Sequence, residues 1–280
     1  MIGVKFNGRL GNQLFQFAFF CYLKSQAPRK TIFFINPHHA TLGRYFDLGG
    51  YNNLTLNSKI YSVLARTLSR MIPLKRNYIQ NIYVPKPVEP IDRTLYTGFF
   101  QTDFYYERTP EPYKPAFKIK PKYTRQFDRM FGEDFKNNKT VVVHIRRTDY
   151  LTYKKRDISL PITYFDEQLQ TIDNLDQYKV YFVSDDITYV KAYFGEKPNF
   201  VYSYNNEIID FQIILNADIK IISNSSFSWW GAYLSGKQSQ VIAPKNWMGF
   251  RIGKEHPKQV MTKRFTWRDV KDHAHPENKN

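Results

Sequence analysis

Residues 141–150 read Val-Val-Val-His-Ile-Arg-Arg-Thr-Asp-Tyr. A run of β-branched apolar residues there delivers His144, Arg146 and Arg147 to the end of a buried strand, with Asp149 just beyond. The chemistry this arrangement offers is anion binding. Two adjacent guanidiniums present forked N–H donors that match phosphate oxygens better than lysine does. Strand C-termini are also where open α/β sheets take their ligands. Taken alone, the same residues could be two surface arginines, one of them paired to Asp149.

Three further constellations bear on the choice. Gly8-Arg-Leu-Gly11-Asn12-Gln13 places two glycines and an amide before a helical stretch, as a cradle for a phosphate or sugar-phosphate would. It is neither a dinucleotide fingerprint nor a P-loop, and a plain tight turn fits it equally well. Tyr181-Phe-Val-Ser184-Asp185-Asp186 ends a second strand in acids, which could accept from ribose hydroxyls or cap the next helix. Ser223-Asn224-Ser225-Ser226-Phe-Ser-Trp-Trp-Gly opens a helix on hydroxyls, able to satisfy free helix N–H groups or to hold a phosphate. Asp210 near another helix start could cap it, or could meet the N1–H and exocyclic amine of a guanine. Trp229 and Trp230 beside Gly231 read as helix packing.

The elements that must position these groups follow from periodicity. Ile2–Phe6 reads as a strand, Gln13 to about Leu23 as a helix and Thr31–Ile35 as a second strand. Residues 37–50 read as loop, 57–72 as helix, the proline-bearing 81–93 as extended chain and Leu95–Phe100 as strand. From 140 onward strands near 140–145, 179–184, 200, 219–222 and 240–243 alternate with helices near 161–172, 186–194, 206–216 and 226–235. That alternation predicts a parallel, doubly wound sheet. The expected division is a first domain over 1–137, a second over 138–262 and a polar tail over 263–280.

Bulk properties narrow the class. With 42% hydrophobic and 17% aromatic residues the 280-residue chain is no disordered segment and can form two cores. The excess of 41 Lys and Arg over 25 Asp and Glu gives +16, which points to anionic partners: a phosphorylated substrate, an acidic membrane surface or nucleic acid. The basic residues are spread along the chain and no RNA-binding signature is visible, which argues against a nucleic-acid module. The single cysteine, Cys21, rules out an internal disulfide framework and suits a reducing compartment. No secretory leader pattern and no apolar stretch near 20 residues is present, so the expected place is the cytoplasm, with peripheral docking on the inner membrane.

The motifs Gly8-Arg-Leu-Gly-Asn-Gln-Leu-Phe-Gln, His144-Ile-Arg-Arg-Thr-Asp-Tyr-Leu, Phe182-Val-Ser-Asp-Asp and Ser223-Asn-Ser-Ser-Phe-Ser-Trp-Trp-Gly-Ala resemble, in order, those of the α-1,2-fucosyltransferases, glycosyltransferase family 11. Gly98-Phe-Phe-Gln-Thr and Ala243-Pro-Lys-Asn-Trp resemble two further family segments. The resemblance covers residues 1 to about 250. It implies an α/β GT-B fold, two Rossmann-like domains facing across a cleft, the first on the acceptor side and the second binding GDP-fucose. It also implies inversion at the sugar carbon, a galactose-terminated glycan, free or lipid-linked, as acceptor, and no required metal or other cofactor.

By the same resemblance His144, Arg146 and Arg147 would bind GDP, an arginine steadying the departing phosphate in place of a cation. Asp210 would read guanine; Ser184, Asp185 and Asp186 would lie on the ribose side; Asn224, Ser225 and Ser226 would lie at the pyrophosphate. Gly11 and Asn12 would sit near fucose and phosphate. For the base that takes the acceptor proton, Asp103, Asp149, His38 and His39 are candidates. The glutamate that the superfamily's α-1,6 branch carries seven residues past the second arginine is Lys154 in this chain, so that role does not transfer. A fucosyltransferase acting on protein is the alternative within enzymes.

Overall fold

The computed structural model describes residues 1–35, 41–49, 60, 63–64, 67, 71–79 and 82–271. The chain divides into two compact units. One comprises Met1–Lys122 with His256–Thr262, the other Tyr123–Glu255 with Lys263 onward.

In the first unit the strands are β1 (Ile2–Lys5), β2 (Ile32–Ile35), β3 (Phe46–Asp47), β4 (Lys75–Tyr78), β5 (Thr94–Thr97) and β6 (Lys118–Ile119). Four of them form a parallel sheet in the order β2-β1-β5-β4, and β3 and β6 pair as an antiparallel ribbon. The Leu10–Gln26 helix is buried on nearly every side from Leu10 to Leu23, which explains why its sequence is apolar all round rather than on one stripe. Its Phe19 ring stacks on Phe100 at 3.9 Å and meets Tyr105 edge-on at 4.8 Å.

The second unit holds β7 (Lys139–Ile145), β8 (Tyr178–Ser184), β9 (Phe200–Tyr202), β10 (Ile219–Ile222), β11 (Gln240–Pro244) and β12 (Thr266–Arg268). They form one parallel sheet in the order β12-β11-β10-β7-β8-β9. The three valines of β7 show how the sheet is covered on both faces. Val141 and Val143 pack with Tyr164, Phe165 and Val190 of the Ile162–Gln170 and Ile187–Phe194 helices. Val142 points the other way, toward Phe127, Ile209 and Ile213 of the Pro121–Asn137 and Glu207–Asn216 helices. Trp229 and Trp230 are fully buried, and a Cβ on Gly231 would stand 2.8 Å from Ile214 Cγ2, so that glycine lets two helices touch.

Several expectations need correction. The Pro121–Asn137 helix belongs from Tyr123 onward to the second unit, because Phe127, Phe131 and Phe135 pack around Tyr181 of β8, and His256–Thr262, expected in the second domain, belong to the first unit. The stretch from 263 onward, expected to be too polar to form a core, contributes to one. Phe265 is buried, its ring 5.8 Å from Trp229, and β12 extends the sheet beside β11. Residues 41–47, expected as loop, form a short helix (Leu42–Tyr45) and β3. Strand β4, Lys-Arg-Asn-Tyr, escaped notice since an exposed edge strand carries no apolar alternation. Most of the helix expected over 57–72 lies outside the described residues.

Candidate functional site

In the second unit the chain runs outward from β7 to β8 and β9, then returns to place β10 on the other side of β7. The strand order therefore reverses between β7 and β10, and in doubly wound sheets the ligand crevice lies at that point. His144 stands there near the end of β7. Its Nδ1 is 2.9 Å from Ser223 Oγ, the first residue after β10. Burial, reinforced by the neighbouring Arg146 charge, pushes the imidazole pKa down to about 3, so the ring is neutral at ordinary pH.

Beyond His144 the two arginines meet carboxylates from two directions. Arg146 lies 2.6 Å from Asp149 Oδ1 through one terminal nitrogen and 3.2 Å from Asp185 Oδ2 through the other. Burial works against its charge, but Asp149 and Asp185 outweigh it and hold the pKa above the ordinary value. Arg147 pairs with Asp186 Oδ2 at 3.3 Å, an ion pair without hydrogen-bond geometry, and its guanidinium lies 3.6 Å above the Tyr189 ring.

Asp185 ties this corner together. It accepts from Arg147 N at 2.9 Å and from Thr148 Oγ1, besides pairing with Arg146. Its burial favours the neutral acid, but these donors and charges win and lower its pKa. Ser184 Oγ accepts from Asp186 N at 3.0 Å, and Asp186 Oδ1 caps the following helix through Tyr189 N at 3.3 Å. Structural roles are thus visible for all three residues at the end of β8.

After β10, Asn224 is fully buried. Its Nδ2 donates to Ile158 O at 2.8 Å, its carbonyl accepts from Tyr150 Oη at 3.3 Å, and its Oδ1 has no hydrogen-bond partner. A buried amide oxygen left unsatisfied is a point where a ligand donor would gain. Ser225 stands in extended conformation at the N-cap of the Ser226–Tyr233 helix, whose first N–H groups follow it. Asp210 lies in the first turn of Glu207–Asn216, capped not by it but by Asn206. Burial raises its pKa to about 7 against the lowering effect of Ser203 Oγ, which donates to Oδ1.

In the first unit, Gly8 has φ +76°, a conformation that favours glycine, and a Cβ there would stand 2.5 Å from Asn12 Nδ2. Asn12 Oδ1 accepts from Gln101 Nε2 at 2.9 Å. Two fully buried glutamines hold the turn. Gln13 donates to Gly8 O at 3.0 Å and accepts from Thr41 N and Leu42 N; Gln16 accepts from Asn7 N and donates to Gly98 O. Gly11 is buried in the helix's first turn, and Asp103 precedes the Phe104–Glu107 helix two residues after Gln101.

The structure thus groups His144, Arg146, Arg147, Asp149, Ser184, Asp185, Asp186, Asn224, Ser225, Ser226 and Asp210 at the C-terminal edge of the second sheet. Gly11, Asn12 and Asp103 belong to the first unit. His38 and His39 lie outside the described residues. Ser223, Thr148, Gln13 and Gln16 stand in the sequence only as members of their motifs, and Ser203 lies outside all of them. The glutamines had a signal: amides inside an apolar helix must find partners. Among the described residues no group of three or more His, Cys, Asp or Glu is placed to hold a metal ion.

The profile of Glycosyl transferase family 11 matches residues 1–268. The chain is 24% identical over 283 residues to O-antigen biosynthesis glycosyltransferase WbnK of Escherichia coli, covering 86% of this chain and 93% of that protein. It is 27% identical over 166 residues to an alpha-1,2-colitosyltransferase of Escherichia coli, covering 54% and 55%. The solved structure of NodZ alpha-1,6-fucosyltransferase co-crystallized with GDP matches with TM-score 0.51 at 12% identity, over 83% of this chain and 92% of that one. This likeness is one of fold: α/β of the GT-B type, with two Rossmann-like units.

Proposed function

Because the chain belongs to glycosyl transferase family 11, we propose that it moves L-fucose from GDP-fucose to the 2-hydroxyl of a terminal galactose, inverting the sugar carbon and requiring no metal. The observation that carries this reading is the pair Arg146 and Arg147 just past the end of β7 at the strand-order reversal, with the Ser226–Tyr233 helix beginning after the neighbouring β10. Such a place suits a pyrophosphate. In the transfer, the acceptor oxygen bonds to the sugar carbon while the bond to the β-phosphate oxygen breaks, its electron pair leaving with GDP. The arginines meet that developing charge from preorganised positions, which is where electrostatic catalysis is most effective. Asp210 accepts from guanine, Ser225 and Ser226 hold the pyrophosphate, and a carboxylate, Asp103 or Asp149, takes the acceptor proton.

The names of the relatives support particular parts of the reading. WbnK is named for O-antigen biosynthesis, and the second relative for an alpha-1,2 transfer. The latter also gives a second reading, in which the sugar moved is colitose, a dideoxy hexose, instead of fucose. No described helix is long and apolar enough to cross a membrane. In this reading the chain works on the cytoplasmic side of the inner membrane, where its +16 charge draws it to anionic lipid carrying the acceptor.

Calorimetry in EDTA tests the donor. GDP and GDP-fucose should bind, and incubation with a panel of β-galactosides should give a product whose linkage NMR assigns as α-1,2. Indifference to both nucleotides would overturn the reading, and faster transfer from GDP-colitose would turn it to the second one.

A further inference from the structure

In the first unit a cavity of about 450 Å³ lies off the C-terminal ends of β4 and β5, walled by Ile79, Tyr83, Val84, Val88 and Tyr105. Ile79 directly follows β4, and Tyr105 lies eight residues past β5. That is the ligand-binding edge of a parallel sheet, and the volume falls among those of small-molecule sites. Two polar residues join the apolar wall, the exposed Lys86 and the buried Thr102, whose hydroxyl oxygen accepts from Phe104 N at 3.1 Å.

One wall is fixed in advance of any ligand. Residues 82–91 form neither helix nor strand, and Pro85, Pro87 and Pro90 restrict their backbone. Two core tyrosines pin this strap. Tyr22 Oη accepts from Val88 N at 3.4 Å, while Tyr96 Oη donates to Glu89 O at 2.6 Å and accepts from Ile91 N at 3.1 Å. Tyr83, earlier on the same stretch, is 70% exposed. The opposite wall joins the glycine turn. Thr102 follows Gln101, the residue bonded to Asn12, and Phe100 at φ +52° turns the chain sharply to bring it there.

We infer that this cavity is a subsite for a second pyranose ring of the acceptor glycan, the ring beyond the one that is modified. The inference rests on the chain being a glycan-modifying transferase. A pyranose has one C–H face and a hydroxyl edge, which match the exposed Tyr83 ring and the Lys86 ammonium of the same strap. A hydrocarbon chain would match the apolar wall and leave the Lys86 ammonium unused. The acceptor is therefore at least a disaccharide, and specificity is read in part by Tyr83.

Saturation-transfer NMR on the full chain tests this without needing the donor. The probes are lactose, N-acetyllactosamine and lacto-N-biose, each against methyl β-D-galactoside, with octyl β-D-galactoside as the hydrocarbon control. At least one disaccharide should receive saturation on both rings and bind about tenfold more tightly than the methyl galactoside, a difference of about 1.4 kcal/mol. Tyr83→Ala and the cavity-filling Val88→Trp should each reduce that ratio toward one, with thermal melting confirming the fold. The inference fails if no disaccharide exceeds the methyl galactoside, if both variants keep the ratio, or if the octyl glycoside binds as well as the best disaccharide. Loss of GDP and GDP-fucose binding in calorimetry would instead strike the proposed function, since the glycoside probes are read without the donor.

Discussion

His144 Nδ1 and Ser223 Oγ, 2.9 Å apart, join the end of β7 to the residue after β10 across the point where the strand order reverses. The imidazole is buried and neutral, held that way by desolvation first and by Arg146 second. Its folded pKa of about 3 lies below the ordinary 6.5, so the unfolded chain binds the extra proton first. Stability from this site is complete above about pH 6.5 and is lost as pH falls toward 3, with a slope of up to about 1.4 kcal/mol per pH unit. Urea unfolding at pH 5, 6 and 7 should show a steeper loss for the native protein than for His144→Gln. Parallel pH dependences would mean that the ring is already charged.

Arg146 is held by carboxylates on both sides, Asp149 at 2.6 Å and Asp185 at 3.2 Å. A lysine has one point charge and cannot span both with forked donors. Arg146→Ala should lower kcat about 10²- to 10³-fold, as loss of a transition-state donor does, and Arg146→Lys should recover little of it. Circular dichroism should report an intact fold in each variant. Full activity in Arg146→Lys would show that a single charge suffices.

Asp149 lies 2.6 Å from Arg146, where it can aim the guanidinium, whereas Asp103 follows Gln101, the partner of Asn12, by two residues in the first unit. A base and a positioning residue differ in the pH profile they leave. Asp103→Asn should remove the acidic limb of kcat/KM against pH, and Asp149→Asn should lower kcat with the limb in place. The reverse pattern would exchange the two roles.

The second unit was largely legible from its sequence because its central strands are mostly apolar runs ending in polar residues, as at Val141–Arg147 and Tyr181–Asp186. The residues gathered on that edge were legible for the same reason, since the runs mark where strands stop. What could not be read was how those residues spend their bonds in the folded chain. Asp185 accepts from Thr148 and Arg147 N, partners 37 and 38 positions away, which only strand pairing brings near. In the first unit β4 carries charge where a strand signal was sought, and the Pro121–Asn137 helix joined the other unit through three phenylalanines whose spacing fits packing on either.

Gly8 is held at φ +76° against Asn12, so two penalties meet in one substitution. A side chain in the left-handed region costs about 1–2 kcal/mol. The added Cβ would also displace the Asn12 amide from Gln101. Gly8→Ala should lower the melting temperature by several degrees and kcat/KM about tenfold or more. Gln101→Ala should lower kcat/KM with a smaller change in melting temperature. Native kcat/KM in both variants would show that Asn12 needs no fixed orientation.

Asp210 should make donor binding depend on pH in a defined direction. Burial lifts its pKa to about 7, so in the empty site the carboxyl is largely neutral at pH 6 and largely charged at pH 8. Guanine presents an N–H and an amine, two donors that call for a charged carboxylate. GDP affinity should therefore rise as pH increases through 7 and level off above it, with a slope approaching tenfold per pH unit on the acid side. Ser203 donates to Oδ1 and favours the charged form, so Ser203→Ala should move the inflection to higher pH. Asp210→Asn should weaken GDP about ten- to a hundredfold and flatten the profile, the loss expected when a charge-assisted bond is removed. Calorimetry of GDP from pH 6 to 8.5 checks all three. An affinity that falls with rising pH in the native protein would remove Asp210 from guanine recognition.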